Sequence, residues 1–135
     1  MVDAQCATIT VTQQQGFFRI NSQKEYPYFP RVSTFEDHPL TRGLDEMILT
    51  FASSVTPIVR DSAVTASPLV YTTEVSGVVK APSYVDIEKR WAPSDFGMGV
   101  QSLAVALDGV GNGLGKLVVI GNGDFFINGA GQAAR

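Results

Sequence analysis

The side chains able to do chemistry in this chain are few, and their spacing limits what that chemistry is. There is one cysteine, Cys6, and one histidine, His38. A cysteine nucleophile needs a strained elbow and a neighbouring base to expose and activate its thiolate. Cys6 lies between Gln5 and Ala7 with no flanking glycine, and so reads as a small buried hydrophobe. His38 precedes Pro39 in a rigid turn, and a metal site would need a cluster of Cys and His that the chain lacks. A hydrogen-bonded turn histidine is the expectation. Asp37, Asp45 and Glu46 place carboxylates around the same turn. A glycoside-cleaving pair must face each other about 5 to 9.5 Å apart across a cleft, whereas acids beside turns and short helices act as caps or solvated charges.

Two glycine clusters offer backbone amides instead. Gly111, Gly113 and Gly115 precede an apolar strand, the reverse of the order that sets a pyrophosphate on a helix N-terminus. They read as a turn. Gly121-Asn122-Gly123-Asp124 follows the apolar run at 116–120, with Asp124 placed to cap a helix after it. Ligands in open α/β sheets sit at the carboxyl ends of strands, so this turn either lines a crevice or is simply a tight turn with a cap. His38, Gly121, Asn122, Gly123 and Asp124 are the candidate binding residues. No catalytic residue, metal ligand or cofactor is expected. Tyr26, Tyr28, Phe29 and Trp91 are a further candidate, as an aromatic platform for carbohydrate.

The elements that must position these residues are mostly strands. With 135 residues, 44% hydrophobic and 17% charged, the chain has the size and composition of one globular domain. Its 13 Gly and 7 Pro favour turns and short strands over long helices. A net charge of -3 argues against nucleic acid as a partner. One cysteine excludes an internal disulfide. No apolar run approaches the roughly 20 residues needed to cross a bilayer, and no signal-peptide pattern opens the sequence. The last residues, 121–135, read as the start of a helix that is cut short, so a single soluble domain excised from a longer protein is expected over 1–135.

Alternation and β-branching predict strands over 6–12, 17–20, 69–75 and 100–107, with a turn at 21–24. Residues 25–32, EYPYFPRV, are extended, but Pro27 and Pro30 each remove a ladder donor, which suits an edge strand or a strand entry. The stretch 37–58 is expected to be the structural centre, with 47–55 a strand buried on both faces and Ile48, Leu49 and Phe51 in the core. Residues 100–107, the glycine turn and 116–120 form a predicted antiparallel pair. Short helices are expected near 41–46 and after Asp124. The fold class is a β-rich α/β domain with a mixed sheet.

The string HPLTRGLDEMILTFASSV, at 38–55, resembles a segment of the gliding-motility-associated ABC transporter auxiliary family, the GldG-like proteins. There an HP-I-T-x-x-L turn leads into a strand and an F-A-S-S stretch. GKLVVIGNGDFFIN, at 115–128, is similar to that family's G-R-V-V-V-I-G-D-S-D-F strand and turn. With the Asp3-Ala4-Gln5-Cys6 opening and Tyr28-Phe29-Pro30, the resemblance spans nearly the whole chain. It implies a fragment of a class I glutamine amidotransferase-like (flavodoxin-like) three-layer domain, belonging to a membrane-tethered bacterial protein and lying in the periplasm. The implied partners are ABC transporter membrane and ATPase subunits, met through the full-length protein, with membrane contact only through segments outside this sequence. Enzymes of the amidotransferase-like group need a cysteine at a strand-to-helix elbow, which Cys6 does not supply. Gly121-Asn122-Gly123 also departs from the family's Gly-Asp-Ser. The expected function is non-catalytic binding or assembly in an ABC transport or gliding complex. The alternatives are a carbohydrate-binding module and a sugar-processing or hydrolytic enzyme of the amidotransferase-like group.

Overall fold

A computed structural model describes residues 1–125 of the chain. Among the described residues nine strands follow one another: β1 (Val2–Asp3), β2 (Cys6–Gln15), β3 (Phe18–Val32), β4 (Thr34–Phe35), β5 (Met47–Ile48), β6 (Thr65–Tyr71), β7 (Ser76–Gly77), β8 (Ser102–Val110) and β9 (Gly115–Ile120). The one helical element among the described residues is a 3-10 turn at Pro93–Phe96. The sheets have the orders β1-β7, β2-β3-β5 and β4-β6-β8-β9.

β2 and β3 form the longest hairpin, in register from Thr8↔Glu25 to Gln15↔Phe18. Its loop is Gly16-Phe17, with Gly16 at φ +62°, where a side chain would be strained. The predicted turn at 21–24 is absent: strand β3 runs straight through it. Polar cross-strand pairs carry the ladder there, with Thr12 Oγ1 donating to Asn21 Oδ1 at 2.8 Å and Thr8 Oγ1 to Gln23 Oε1 at 3.2 Å.

The stretch 25–32 is no edge. Arg31 N donates to Gln5 O on one side, at 2.9 Å. On the other side Leu49 N donates to Pro30 O at 3.0 Å and Phe51 N to Tyr28 O at 2.9 Å. The prolines are tolerated because the β2–β3 register shifts between Cys6 and Thr8, where the ladder is interrupted anyway.

Residues 47–55 also depart from expectation. Only Met47–Ile48 is strand, and Phe51 turns back at φ +53°. Leu49 and Ala52 are 3% and 1% exposed, but Ile48 and Phe51 are 48% and 52% exposed. The segment lies along β3 with one side covered, and the positive φ at Phe51 breaks the strand's alternation, so that Leu49 and Ala52, three positions apart, both go in. The region 41–46 is a turn rather than a helix, held by Leu44 N to Thr41 O at 3.1 Å and broken at Gly43. The helix expected after Asp124 falls outside the described residues.

The four-stranded sheet carries the main core, where Val32, Leu49, Leu69, Val70, Leu103 and Ala104 meet. Leu103 is fully buried, and β8 lies between β6 and β9. The hairpin of β8 and β9 matches the predicted antiparallel pair, from Ala104↔Ile120 to Val110↔Gly115. A second core gathers Val2, Tyr26 and Tyr28 under Trp91 and Phe96. Every strand pairing is antiparallel, so the domain is β-rich as expected, while the mixed sheet is not formed among the described residues. No helix there is long and apolar enough to cross a membrane.

Candidate functional site

The loop after β4 brings His38 against the four-stranded sheet. The loop is pinned at its start, where Glu36 N donates to Leu69 O at 3.0 Å and Tyr71 Oη donates to Glu36 Oε2 at 3.0 Å. Burial, and then this bond to the carboxylate, push the Tyr71 phenol above its ordinary value. His38 then behaves as the turn histidine its Pro39 neighbour predicts. Its carbonyl accepts from Thr41 N and Arg42 N, both at 3.0 Å, and its Nδ1 accepts from Leu40 N at 3.2 Å. With Nδ1 an acceptor, the neutral ring carries its proton on Nε2. Thr41 is buried, with Oγ1 2.6 Å from Glu36 O.

Folding this loop over the sheet leaves two adjoining hollows. One, of about 270 Å³, is lined by Leu40, Leu44, Met47, Leu69, Val118 and Phe125 among others. The second, of about 170 Å³, is lined by His38, Pro39, Leu40, Asp108, Lys116 and Leu117 among others. The first is almost wholly apolar. The second holds the imidazole and the Lys116–Asp108 ion pair, 2.9 Å between charged atoms. Both open along β9, whose Leu117, Val118 and Val119 stay 47%, 41% and 37% exposed.

The turn that follows β9 ties two distant segments together. Gly121 N donates to Leu103 O at 2.8 Å, and Gly121 O accepts from Ser53 N at 2.6 Å. A Cβ on Gly121 would lie 1.8 Å from Ser53 O, so the approach of these two backbones requires glycine. Asn122, 8% exposed, donates from Nδ2 to Thr50 O at 2.6 Å and accepts from Asp124 N at 3.0 Å. Gly121 and Asn122 therefore staple residues 50–53 to the end of β9. Gly123 and Asp124 are exposed. The structure brings His38 and this turn to the same sheet, where Leu40 and Phe125 from the two segments line one hollow.

Cys6 has no activating context. Burial pushes its thiol above the ordinary value and outweighs a backbone hydrogen bond at Tyr26 that favours the thiolate. Among the described residues no group of three or more His, Cys, Asp or Glu could hold a metal ion. The four rings proposed as a platform interlock instead. Tyr26 and Tyr28 are 5% and 6% exposed; Tyr26 meets Phe29 edge-on at 4.9 Å, and Tyr28 meets Trp91 at 5.2 Å. Lys89 Nζ sits 4.0 Å over the Trp91 ring and 3.1 Å from Asp95 Oδ1. The backbone N–H of Ala92, and then Lys89, hold the Asp95 carboxyl below the usual carboxylate range.

Sequence reasoning passed over Asp3, the most enclosed acid in the chain at 1% exposure. Its Oδ1 accepts from Gln5 N at 2.8 Å and from Thr73 Oγ1 at 2.7 Å, and its Oδ2 accepts from Thr73 N at 2.7 Å. Only the bond to Gln5, two residues on, leaves a local trace. Thr73 is 70 positions away.

Comparison with protein-family models matches the whole chain, residues 1–135, to the family described as an ABC-type uncharacterized transport system. No curated protein matches the chain. No solved structure matches it either.

Proposed function

The chain belongs to the ABC-type uncharacterized transport system family, and from that premise we propose that it is a non-catalytic binding or assembly domain of the transport complex. The observation that carries this reading is the apolar hollow between the His38 loop and β9. Contiguous exposed apolar surface beside a sheet edge is the usual mark of a docking site. The partners would be the membrane and ATPase subunits of the transporter, met by the full-length protein on the periplasmic side of a membrane to which it is tethered. A gliding-motility complex is the specific setting the GldG-like strings favour. His38 and the exposed part of the Gly121–Asp124 turn, Gly123 and Asp124, would edge the contact, with Gly121 and Asn122 holding its floor. The amidotransferase-like three-layer setting belongs to the same proposal.

The alternatives draw less support. A carbohydrate platform built on Tyr26 and Tyr28 would have to use rings that are already packed away. An amidotransferase-like hydrolase would need a thiolate that Cys6 is disposed against forming. The test is co-purification of the full-length protein with its transporter subunits, wild type against Leu40→Glu and Val118→Glu. Retention by wild type and loss by both variants, with unchanged circular dichroism, supports the reading; equal retention refutes it. Turnover of esterase, amidase or glycosidase substrates that Cys6→Ala or His38→Ala abolishes would refute the non-catalytic part.

A further inference from the structure

The outer part of the β2–β3 hairpin is a free-standing arm. Beyond Thr8↔Glu25 its two strands pair only with each other, because β5 reaches β3 only at Arg31 and Val32. From Thr12 to Gln23 every residue is exposed. Seven paired residues on each strand carry the arm about 20 Å or slightly more from its base at ordinary strand rise. Two-stranded ribbons that stand alone are marginal in water. The apolar side chains of this one's paired residues all fall on a single face.

The register sorts its side chains. Opposed residues share a face and successive ones alternate. Ile9, Val11, Ile20 and Phe18 therefore share one face with Gln13, Gln15, Ser22 and Lys24, and Thr8, Thr10, Thr12, Asn21, Gln23 and Arg19 lie on the other. Ile9 is partly covered at the base by the tyrosine core. Further out Ile20 and Phe18 are 49% and 76% exposed, and Phe17, in the loop, is completely exposed. The arm is an amphipathic ribbon with two phenyl rings at its tip.

Its charge is opposite to that of the body. No Asp or Glu occurs between Ala4 and Lys24, a stretch that carries Arg19 and Lys24, so all 13 acidic residues lie outside it. Lys24 is tied at the base to Glu88, at 3.5 Å. Arg19, beside the phenyl pair, is thus the cation of the outer arm. Its distance from the acidic body, about 20 Å, is roughly two Debye lengths at 0.1 M salt. An anionic surface would attract the tip while the body's repulsion is screened.

We propose that the β2–β3 arm is a membrane-contact device that seats Phe17, Phe18 and Ile20 in the interface of an anionic lipid bilayer, with Arg19 at the headgroups. Aromatic rings favour that zone, and a long cation beside them reaches lipid phosphate while its stem stays in apolar surroundings. The contact is peripheral, and it does not depend on the transporter partners proposed above. It would orient the body with its acidic surface held off the membrane.

The test is flotation of the whole 135-residue chain with vesicles of phosphatidylcholine alone or with a third phosphatidylglycerol. Wild type should float with the anionic vesicles and much less with the neutral ones. The paired change Phe17→Ser and Phe18→Ser should lower binding by about tenfold or more, with circular dichroism and melting temperature retained. Arg19→Glu should abolish the preference for anionic lipid, and raised salt should weaken wild type alone. No flotation of wild type, or equal flotation by the serine variant, overturns the proposal. So does concentration-dependent self-association without lipid that the serine variant removes, since the tip would then be a protein contact.

Discussion

Strand β8 and the outer half of β2 resemble each other locally and differ in everything that packing decides. Both run in antiparallel hairpins, and both end at a turn that holds a glycine of positive φ. Yet Leu103, Ala104, Val105 and Ala106 are all 4% exposed or less, while residues 12–15 of β2 are all exposed. Strand formation needs only a partner and a suitable turn, whereas burial needs a second layer. β8 has neighbours on both edges and the 49–52 segment packed on it; the arm has nothing but its own partner strand.

The widest gap should appear on truncation in β8. Leu103→Ala removes a fully buried side chain and should cost about 2–5 kcal/mol, read from the urea midpoint. A loss below about 1 kcal/mol would mean that the sheet is not the stability centre. Next is Gly121→Ala, whose added methyl meets Ser53 O at 1.8 Å. Because the obstacle is backbone, roughly 1–3 kcal/mol of stability should be lost; a neutral result would show that the 50–53 staple yields freely.

A smaller effect is expected from acid. The Asp95 carboxyl is held below its ordinary value in the folded chain, so its contribution is complete above the unfolded-state value and disappears as pH falls through the folded one. Melting temperature should therefore drop more between pH 6 and pH 3 for wild type than for Asp95→Asn. Parallel curves for the two would remove the Lys89–Asp95 clasp from the account. Smallest of all is Phe17→Ser at the tip of the arm, which should change stability by less than about 0.5 kcal/mol. A loss comparable to that of Leu103→Ala would show that the arm packs against something and erase the contrast.

The two regions were only partly legible in advance. The clean alternation of Thr8-Ile9-Thr10-Val11-Thr12 announces a strand with one apolar face, which is what forms. A continuous apolar run such as Leu117-Val118-Val119-Ile120 is what strands covered on both sides carry, yet this one is not covered. β9 is the last strand of its sheet, and three of these residues stay more than a third exposed. Periodicity reports what a strand could bury rather than whether neighbours arrive to bury it. The apolarity of Phe51 suits a core position, yet it lies outside the core, at φ +53° and half exposed. Tyr26 and Tyr28 are inside rather than on a platform, because Val2, Trp91 and Phe96 pack against them.

By itself the sequence determined the β-rich class, the glycine turn between β8 and β9, the turn geometry of His38 and the ABC-type transport family. Each of these depends on neighbours a few residues apart, where turn preference, alternation and side-chain bonding to nearby backbone act directly. Tertiary structure alone decided that Gly121 and Asn122 are staples, that Asp3 holds Thr73, and that one hydrophobic strand is buried while another is left at an edge. Those outcomes rest on contacts between residues some 70 positions apart. Burial and the bonding of buried polar groups depend on which distant segments the fold brings together, and no local pattern encodes that.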